Sequence, residues 1–178
     1  LGRLAGETKR IALGVGVSNP QTRHPAVLAR AAVTVTELAG ERFLLGIGAG
    51  DTALRHLGMP PADLKLCREV LTCVRDLIHG KEGMFGDNRI PALNDYKPLD
   101  IPVCLAANGS KMLEMAGEVG DGAIVSAGIS KEILEWVKFH IESGLRKRGR
   151  SWSEFRLIVF VGCAVSENPS EAKSNIRP

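Results

Sequence analysis

Residues 10–47 read RIALGVGVSNPQTRHPAVLARAAVTVTELAGERFLLGI, and the pattern of this stretch decides the fold class. Arg10 to Val17 is a short apolar run that Ser18-Asn19-Pro20 stops, as expected of a buried strand. From Pro25 to Leu38 the period changes. Leu28, Ala31, Val35 and Leu38 recur at helical spacing, Pro25 suits the first turn, and Gly40 suits the position just past the last. Phe43 to Ile47 is apolar again, and Gly48-Ala49-Gly50-Asp51 closes it. Two short apolar strands joined by a helix form a parallel pair with a crossover, covered by helices.

The same alternation continues to the C-terminal side. The spacing predicts a helix over Asp63 to His79, with Cys67, Val70, Leu71, Val74, Leu77 and Ile78 on one face and Gly80 after it. Lys81 to Pro98 carries turn residues throughout, including Gly86-Asp87-Asn88 and Asn94-Asp95, and is expected to be a long excursion holding a small hairpin. Ile101 to Ala107 is a third strand, followed by a helix that Ser110 caps and Gly120 closes. Gly122 to Ser126 is a fourth strand, and Ser130 caps a helix to about Arg148. Phe155 to Val165 is a fifth. Asn168, Pro169, Ser170 and Glu171 then open a last helix in the pattern of a capping box. The chain is read as beginning on a loop and a strand. Five βα units result, whereas a closed (β/α)8 barrel has eight in about 250 residues. The expected architecture is therefore α/β, a partial (β/α)8 TIM barrel in one domain over residues 1–178, incomplete at both ends.

Bulk properties exclude several classes. Apolar residues are 44% and charged residues 24% of the chain, as in ordinary globular proteins. No apolar run approaches the ~20 residues of a membrane span, and Leu1 to Arg10 lacks an apolar leader core. The net charge of +3 is mild. The basic group Arg146-Lys147-Arg148 with Arg150 sits at a helix C-terminus, where cations complement the dipole. Aromatic residues are 4%, too few for base stacking, so no nucleic-acid partner is expected. Cys67, Cys73, Cys104 and Cys163 form no CxxC pair and lie in strand-like or helical runs. They read as buried thiols of a reducing, cytoplasmic setting, with no metal site.

In a parallel α/β fold the chemistry sits on the loops after the strands' C-terminal ends. After the first strand, Gly14 and Gly16 suggest a bulge or the close approach of another molecule, and Ser18 and Asn19 offer neutral donors and acceptors. An ordinary strand end with an Asn-Pro turn gives the same letters. His24, a lone histidine before Pro25, reads as a loop or packing residue. After the second strand, Gly46-Ile47-Gly48-Ala49-Gly50-Asp51 is no dinucleotide GxGxxG, because Asp51 stands where the third glycine belongs. A methyltransferase loop for S-adenosylmethionine is a remote alternative: Leu44 stands where its acid belongs, and Gly58-Met59-Pro60-Pro61 breaks the following helix. The glycines let the backbone pass close to a flat ligand, with Asp51 the one acid at this rim. After the third strand, Ala106-Ala107-Asn108-Gly109-Ser110 leads into a helix. Free amides there suit an anion such as phosphate; a plain capped βα turn is the alternative. Ser126-Ala127-Gly128 and Val165-Ser166 are uninformative. Small, neutral linings of this kind suit a site where a cofactor carries the reaction.

Three segments together resemble the luciferase-like monooxygenase superfamily, and within it the deazaflavin-dependent methylenetetrahydromethanopterin reductases. They are Leu13 to Ala26, Leu45 to Asp51, and Ala106 to Leu113 with Ala116-Gly117-Glu118 and Gly120 to Ala123, in the family's order and spacing. The resemblance covers most of residues 10–165 and makes these strands 3 to 7 of the family's barrel. It implies a flavin- or deazaflavin-dependent oxidoreductase, by hydride transfer or monooxygenation on a small organic substrate, with coenzyme F-420 or FMN. Gly16, Val17, Ser18, Asn19, Ala106, Ala107, Asn108, Gly109 and Ser110 would bind the cofactor, with Asn19 and Asp51 as the catalytic candidates. The resemblance also implies a non-proline cis peptide between Gly16 and Val17, behind the cofactor ring. One departure is Asn108-Gly109-Ser110, where the reductases carry Gln-Gly-Pro. The rival expectation is a non-catalytic barrel remnant that binds flavin or a partner chain; a homo-oligomer is compatible with either.

Overall fold

The computed structural model describes residues 1–93 and 99–176. Five strands, β1 (Leu13–Ser18), β2 (Phe43–Ile47), β5 (Val103–Ala106), β6 (Gly122–Val125) and β7 (Arg156–Val159), form one sheet in the order β1-β2-β5-β6-β7. Each pairing is parallel. The helices α2 (Pro25–Ala39), α4 (Leu64–Ile78), α5 (Ser110–Val119) and α6 (Lys131–Lys147) are the crossovers, and β1 and β7 are the edges. The excursion after α4 contains an antiparallel hairpin of β3 (Gly83–Phe85) and β4 (Asn88–Ile90). The expected turn at Asn94-Asp95 lies outside the described residues.

The strand period of two decides which face packs where. Leu45, Ile47, Val103, Leu105, Ala123 and Val125 join Leu28 and Val33 of α2, Val70, Leu71 and Val74 of α4, and Leu113 of α5 in one buried cluster. Several of the alternate residues are small: Gly46, Cys104 and Gly122 face the other way, together with Ile124. A Cβ on Gly122 would stand 2.8 Å from the Cys104 sulfur, so β5 and β6 pack tightly on that side too. Helices approach closely where glycine allows. Gly117 of α5 and Gly144 of α6 each face the other helix's backbone, at Ile141 and Glu114, with no room for a Cβ.

Arginine contacts hold the end of the sheet opposite the strands' C-termini and tie α4 to α5. Asp121, just before β6, accepts from Arg75 of α4 at 2.6 and 3.1 Å and from the Val103 amide at 3.0 Å. Arg150 donates to the Gly120 carbonyl at 2.6 Å. Arg42 donates to the Thr8 and Ile11 carbonyls at 3.0 and 2.7 Å and ties the approach to β1 to the start of β2. Arg68 of α4 bonds Glu118 of α5 at 2.7 Å.

Several boundaries differ from the sequence reading. The chain opens on a helix, α1 (Gly2–Glu7), where a loop was expected; its buried Ala5 packs on α2 and Arg3 pairs with Glu7. β7 stops at Val159 rather than Val165. Its partner β6 ends at Val125, so the last ladder contact is the Phe160 amide donating to the Val125 carbonyl at 2.8 Å. Cys163 lies past that point and is exposed, against the expectation of burial, while Cys67, Cys73 and Cys104 are buried. Gly109, not Ser110, caps α5, and no side chain serves its first amides. The short helix α3 (Asp51–His56) follows β2. Helix α7 (Pro169–Ile176) is capped by Asn168 as expected, the Ser170 amide donating to its side chain at 2.9 Å. Glu171, however, bonds Ser166 rather than completing the box.

Candidate functional site

Gly16, Val17, Asn19, Asp51, Ala106 and Asn108, singled out at the strand ends, meet in one cleft of about 490 Å³. β1 supplies Gly16, Val17 and, just beyond, Asn19; the loop after β2 supplies Gly48 to Gly50 and the start of α3 supplies Asp51 to Ala53; Ala106 and Asn108 come from the end of β5 and Met112 from α5. The shape follows from a β-bulge. Between Val15 and Ser18 the β1–β2 register shifts, and the Gly16–Val17 peptide is cis. Val17 is thereby turned toward β2, where a Cβ on Gly46 or Gly48 would stand 2.8 or 2.7 Å from its methyl carbons. Glycine is required at both positions for Val17 to lie there. Val17 remains 37% exposed to the cleft. Gly50 has φ 81°, open to glycine and strained for other residues, and the Asn19 Cβ packs against it at 2.6 Å from a hypothetical Cβ.

Each polar group has a defined task. The Asn19 Oδ1 accepts the Gln21 and Thr22 amides at 3.1 and 3.0 Å, an Asx-type turn that shapes the loop. Asn108 bridges two loops: its Oδ1 accepts from the Ser126 amide at 2.8 Å and its Nδ2 donates to the Ser126 hydroxyl at 2.9 Å. Asp51 is the first residue of α3, and its carboxylate accepts from Arg55 one turn on. It is the one ionisable side chain among those described as lining the cleft. Beneath the floor, on the same face of β5 as Ala106, burial pushes the Cys104 thiol up to about 12, so it stays neutral.

Not every expected residue lines this cleft. Ser18 lies in a separate groove with Val15, Leu28 and Ala32, on the helical side of the sheet. The Ala107 amide is engaged by the Ile124 carbonyl at 2.9 Å, so it cannot serve an anion. Gly109 and Ser110 lie outside the lining, at the start of α5; a Cβ on Gly109 would meet nothing within 4 Å, so that approach is open. His24 caps α2 through its Nδ1, 3.3 Å from the Ala26 amide, and its ring meets Phe85 of the hairpin edge-on, a packing role as expected. Sequence reasoning missed Ser126, Thr52 and Met112. Met112 sits two residues into α5, a position readable from the helix start. Ser126 acquires its role from a partner 18 residues away, for which no local signal exists.

A parallel sheet with a small-residue cleft at the C-terminal ends of its strands defines an α/β protein of TIM-barrel-like class. The chain belongs to the luciferase-like monooxygenase family, whose model matches residues 1–178. It is 36% identical over 180 residues to the 5,10-methylenetetrahydromethanopterin reductase of Archaeoglobus fulgidus, covering 98% of this chain and 54% of that protein. It is 31% identical over 185 residues to the F420-dependent glucose-6-phosphate dehydrogenase of Beutenbergia cavernae, again covering 98% of this chain and 54% of that protein. Among solved structures, the coenzyme F420-dependent tetrahydromethanopterin reductase from Methanopyrus kandleri superposes with a TM-score of 0.81 at 26% identity, over 96% of this chain and 55% of that one. The long-chain alkane monooxygenase LadA matches with a TM-score of 0.75 at 16% identity, a likeness of fold alone. The chain thus spans about half the length of the relatives it matches, and those relatives are enzymes.

Proposed function

We propose that this chain is the strand 3 to strand 7 portion of a (β/α)8 barrel that binds coenzyme F420 and carries out hydride transfer on a small organic substrate. The supporting observation is the convergence of the Gly16–Val17 bulge, the Gly48 to Asp51 segment and the approach to α5 on one cleft whose lining is small and neutral apart from Asp51. The residues fit a flat cofactor with an acidic tail. Gly46 and Gly48 keep side chains off the floor, Val17 offers an apolar face, and the first amides of α5 beyond Ala107 have no side-chain cap. Deazaflavin, when bound, supplies two-electron hydride chemistry.

In this reading Val17 supports the face of the ring. The Asn19 Nδ2 is available to a polar ring edge, because only its oxygen is held by the loop. The amides from Gly109 to Lys111 hold an anionic group, assisted by the helix dipole, and Asn108 fixes that loop against Ser126. Asp51 holds or moves a proton at the rim, with Arg55 orienting its carboxylate.

The test is a titration of the full-length protein with F420 and with FMN, followed by absorbance and fluorescence. Saturable F420 binding with FMN binding at least about tenfold weaker is expected, a difference of 1.4 kcal/mol. Preference for FMN would move the reading to monooxygenation, and binding of neither would overturn it. Gly109→Asp should weaken F420 binding about tenfold or more, since several bonds to a charged group, each about 1.5–3 kcal/mol, are opposed by a like charge. Unchanged affinity would remove the α5 amides from the site.

A further inference from the structure

Phe160 stands one residue past β7, at the far edge of the sheet from β1. Its amide donates to the Val125 carbonyl at 2.8 Å, so it continues the β7 register by one residue. Ile124 pairs with Ile158, and Ile124 lies 2.7 Å from a hypothetical Cβ on Gly46. Period two therefore carries the Phe160 side chain to the same inner face as Ile124 and Gly46. There its ring reaches across to β1: a Cβ on Gly16 would stand 3.0 Å from the Phe160 Cζ and 3.3 Å from its Cε2.

This contact completes a chain of close approaches. Val17 is bounded on one side by Gly46 and Gly48 of the β2 segment. Gly16, its neighbour in the bulge, is backed by Phe160. Phe160 and Ile124 are large side chains on this face, where Gly16 and Gly46 carry none, and of the two it is Phe160 that reaches Gly16. A movement of its ring would change the space behind the bulge, and with it the position of the Val17 face that opens on the cleft.

We infer that Phe160 is a positioning residue for the flat ring: it acts through Gly16 and Val17, from the opposite edge of the sheet, and sets where that ring rests. The inference relies on the cofactor reading above and goes beyond it by assigning a role to a residue outside the cleft lining.

The test is a double-mutant cycle of Gly16→Ala and Phe160→Leu in the full-length protein, read by F420 affinity and by the absorbance and emission of the bound cofactor. Gly16→Ala should weaken binding about tenfold, because the new methyl crowds the Phe160 ring and displaces one or the other, and Phe160→Leu in that background should recover most of the loss, a coupling expected of residues in direct contact. Phe160→Leu alone should shift the bound spectrum, a change that general destabilisation at a remote edge would not cause. If Gly16→Ala fails to fold, Phe160→Leu alone decides. A spectrum and affinity equal to wild type in that variant, or additive losses in the cycle, overturn the inference while wild-type binding stands. Wild-type protein that binds neither cofactor overturns the proposed function, and this inference with it.

Discussion

Asp51 and the cysteines carry the expectations that belong to single residues. Asp51 is the ionisable group of the cleft lining, so Asp51→Asn should leave F420 affinity within a few-fold and reduce turnover about 10²-fold or more, the lower range for a general acid–base group. Equal losses of binding and turnover would instead make it a ligand to the cofactor. The thiols divide by burial. Cys67 and Cys73 are pushed up to about 11 and Cys104 to about 12, each chiefly by burial, and thiolate is the reactive form. Cys163 is exposed. In the folded protein at neutral pH, an aromatic disulfide reagent should therefore modify Cys163 rapidly and the other three only on unfolding, which peptide mapping after timed alkylation will read. Early labelling of Cys104 would contradict its buried position in β5, against Gly122 of β6.

At the level of elements, the alternation of periods was the legible part. Residues 10–47 alone specify β1, α2 and β2, because each run has one unambiguous period and Ser18-Asn19-Pro20 and Gly40 mark its ends. The glycine and asparagine turn at residues 86–88 likewise marked the β3–β4 hairpin. What was not legible depended on partners. β7 was overextended because Phe160 to Val165 is apolar, yet a strand reaches only as far as its neighbour, and β6 is four residues long. α1 has six residues and too few turns for a period to appear. The site divided the same way: Gly16, Val17, Asn19 and Asp51 were readable from local glycines and family resemblance, whereas the Asn108–Ser126 bridge joins two loops across a strand pair. Helix contacts carry a prediction of their own. Arg68 lowers the Glu118 carboxyl, first by its hydrogen bond, across the α4–α5 contact. A depressed carboxylate contributes stability that is present above the unfolded value, about 4.3, and is lost as pH falls through the folded value. Arg68→Met should thus lower Tm at pH 7, and the gap to wild type should close in acid; a gap that persists below pH 3 would show that the loss is of packing instead. A methyl at Gly144 meets the Glu114 backbone of α5, which cannot yield as a flexible side chain can. Gly144→Ala should cost about 1–3 kcal/mol, the usual range for overpacking, measurable as a shift of the urea midpoint.

For the molecule as a whole the governing fact is that, among the described residues, the sheet has two free edges. There β1 and β7 each pair on one side only, and each leaves a row of backbone donors and acceptors open to another strand. Apolar side chains cluster near the same edges: Ile11 is 60% exposed ahead of β1, and Phe160 and Val161 are 52% and 50% exposed after β7. Two open edges and apolar flanks are what a further set of parallel strands would cover, consistent with relatives about twice as long. The fold of these residues on their own is therefore expected to satisfy its helical layer but not its edges. Residues 1–178 expressed alone should self-associate at micromolar concentration, the range in which unpaired edges and exposed apolar surface drive aggregation. Light scattering coupled to gel filtration reads this directly, as a mass that rises with loading concentration. Far-ultraviolet circular dichroism should still report helix, because α2, α4, α5 and α6 are packed on the buried face independently of either edge. Under the proposed barrel assignment, co-expression with segments that supply the other strands should return a single species of defined mass. A stretch that is monomeric by itself at every loading would mean that β1 and β7 are protected within these residues, and the proposed placement as strands 3 through 7 of a larger barrel would lose its physical support.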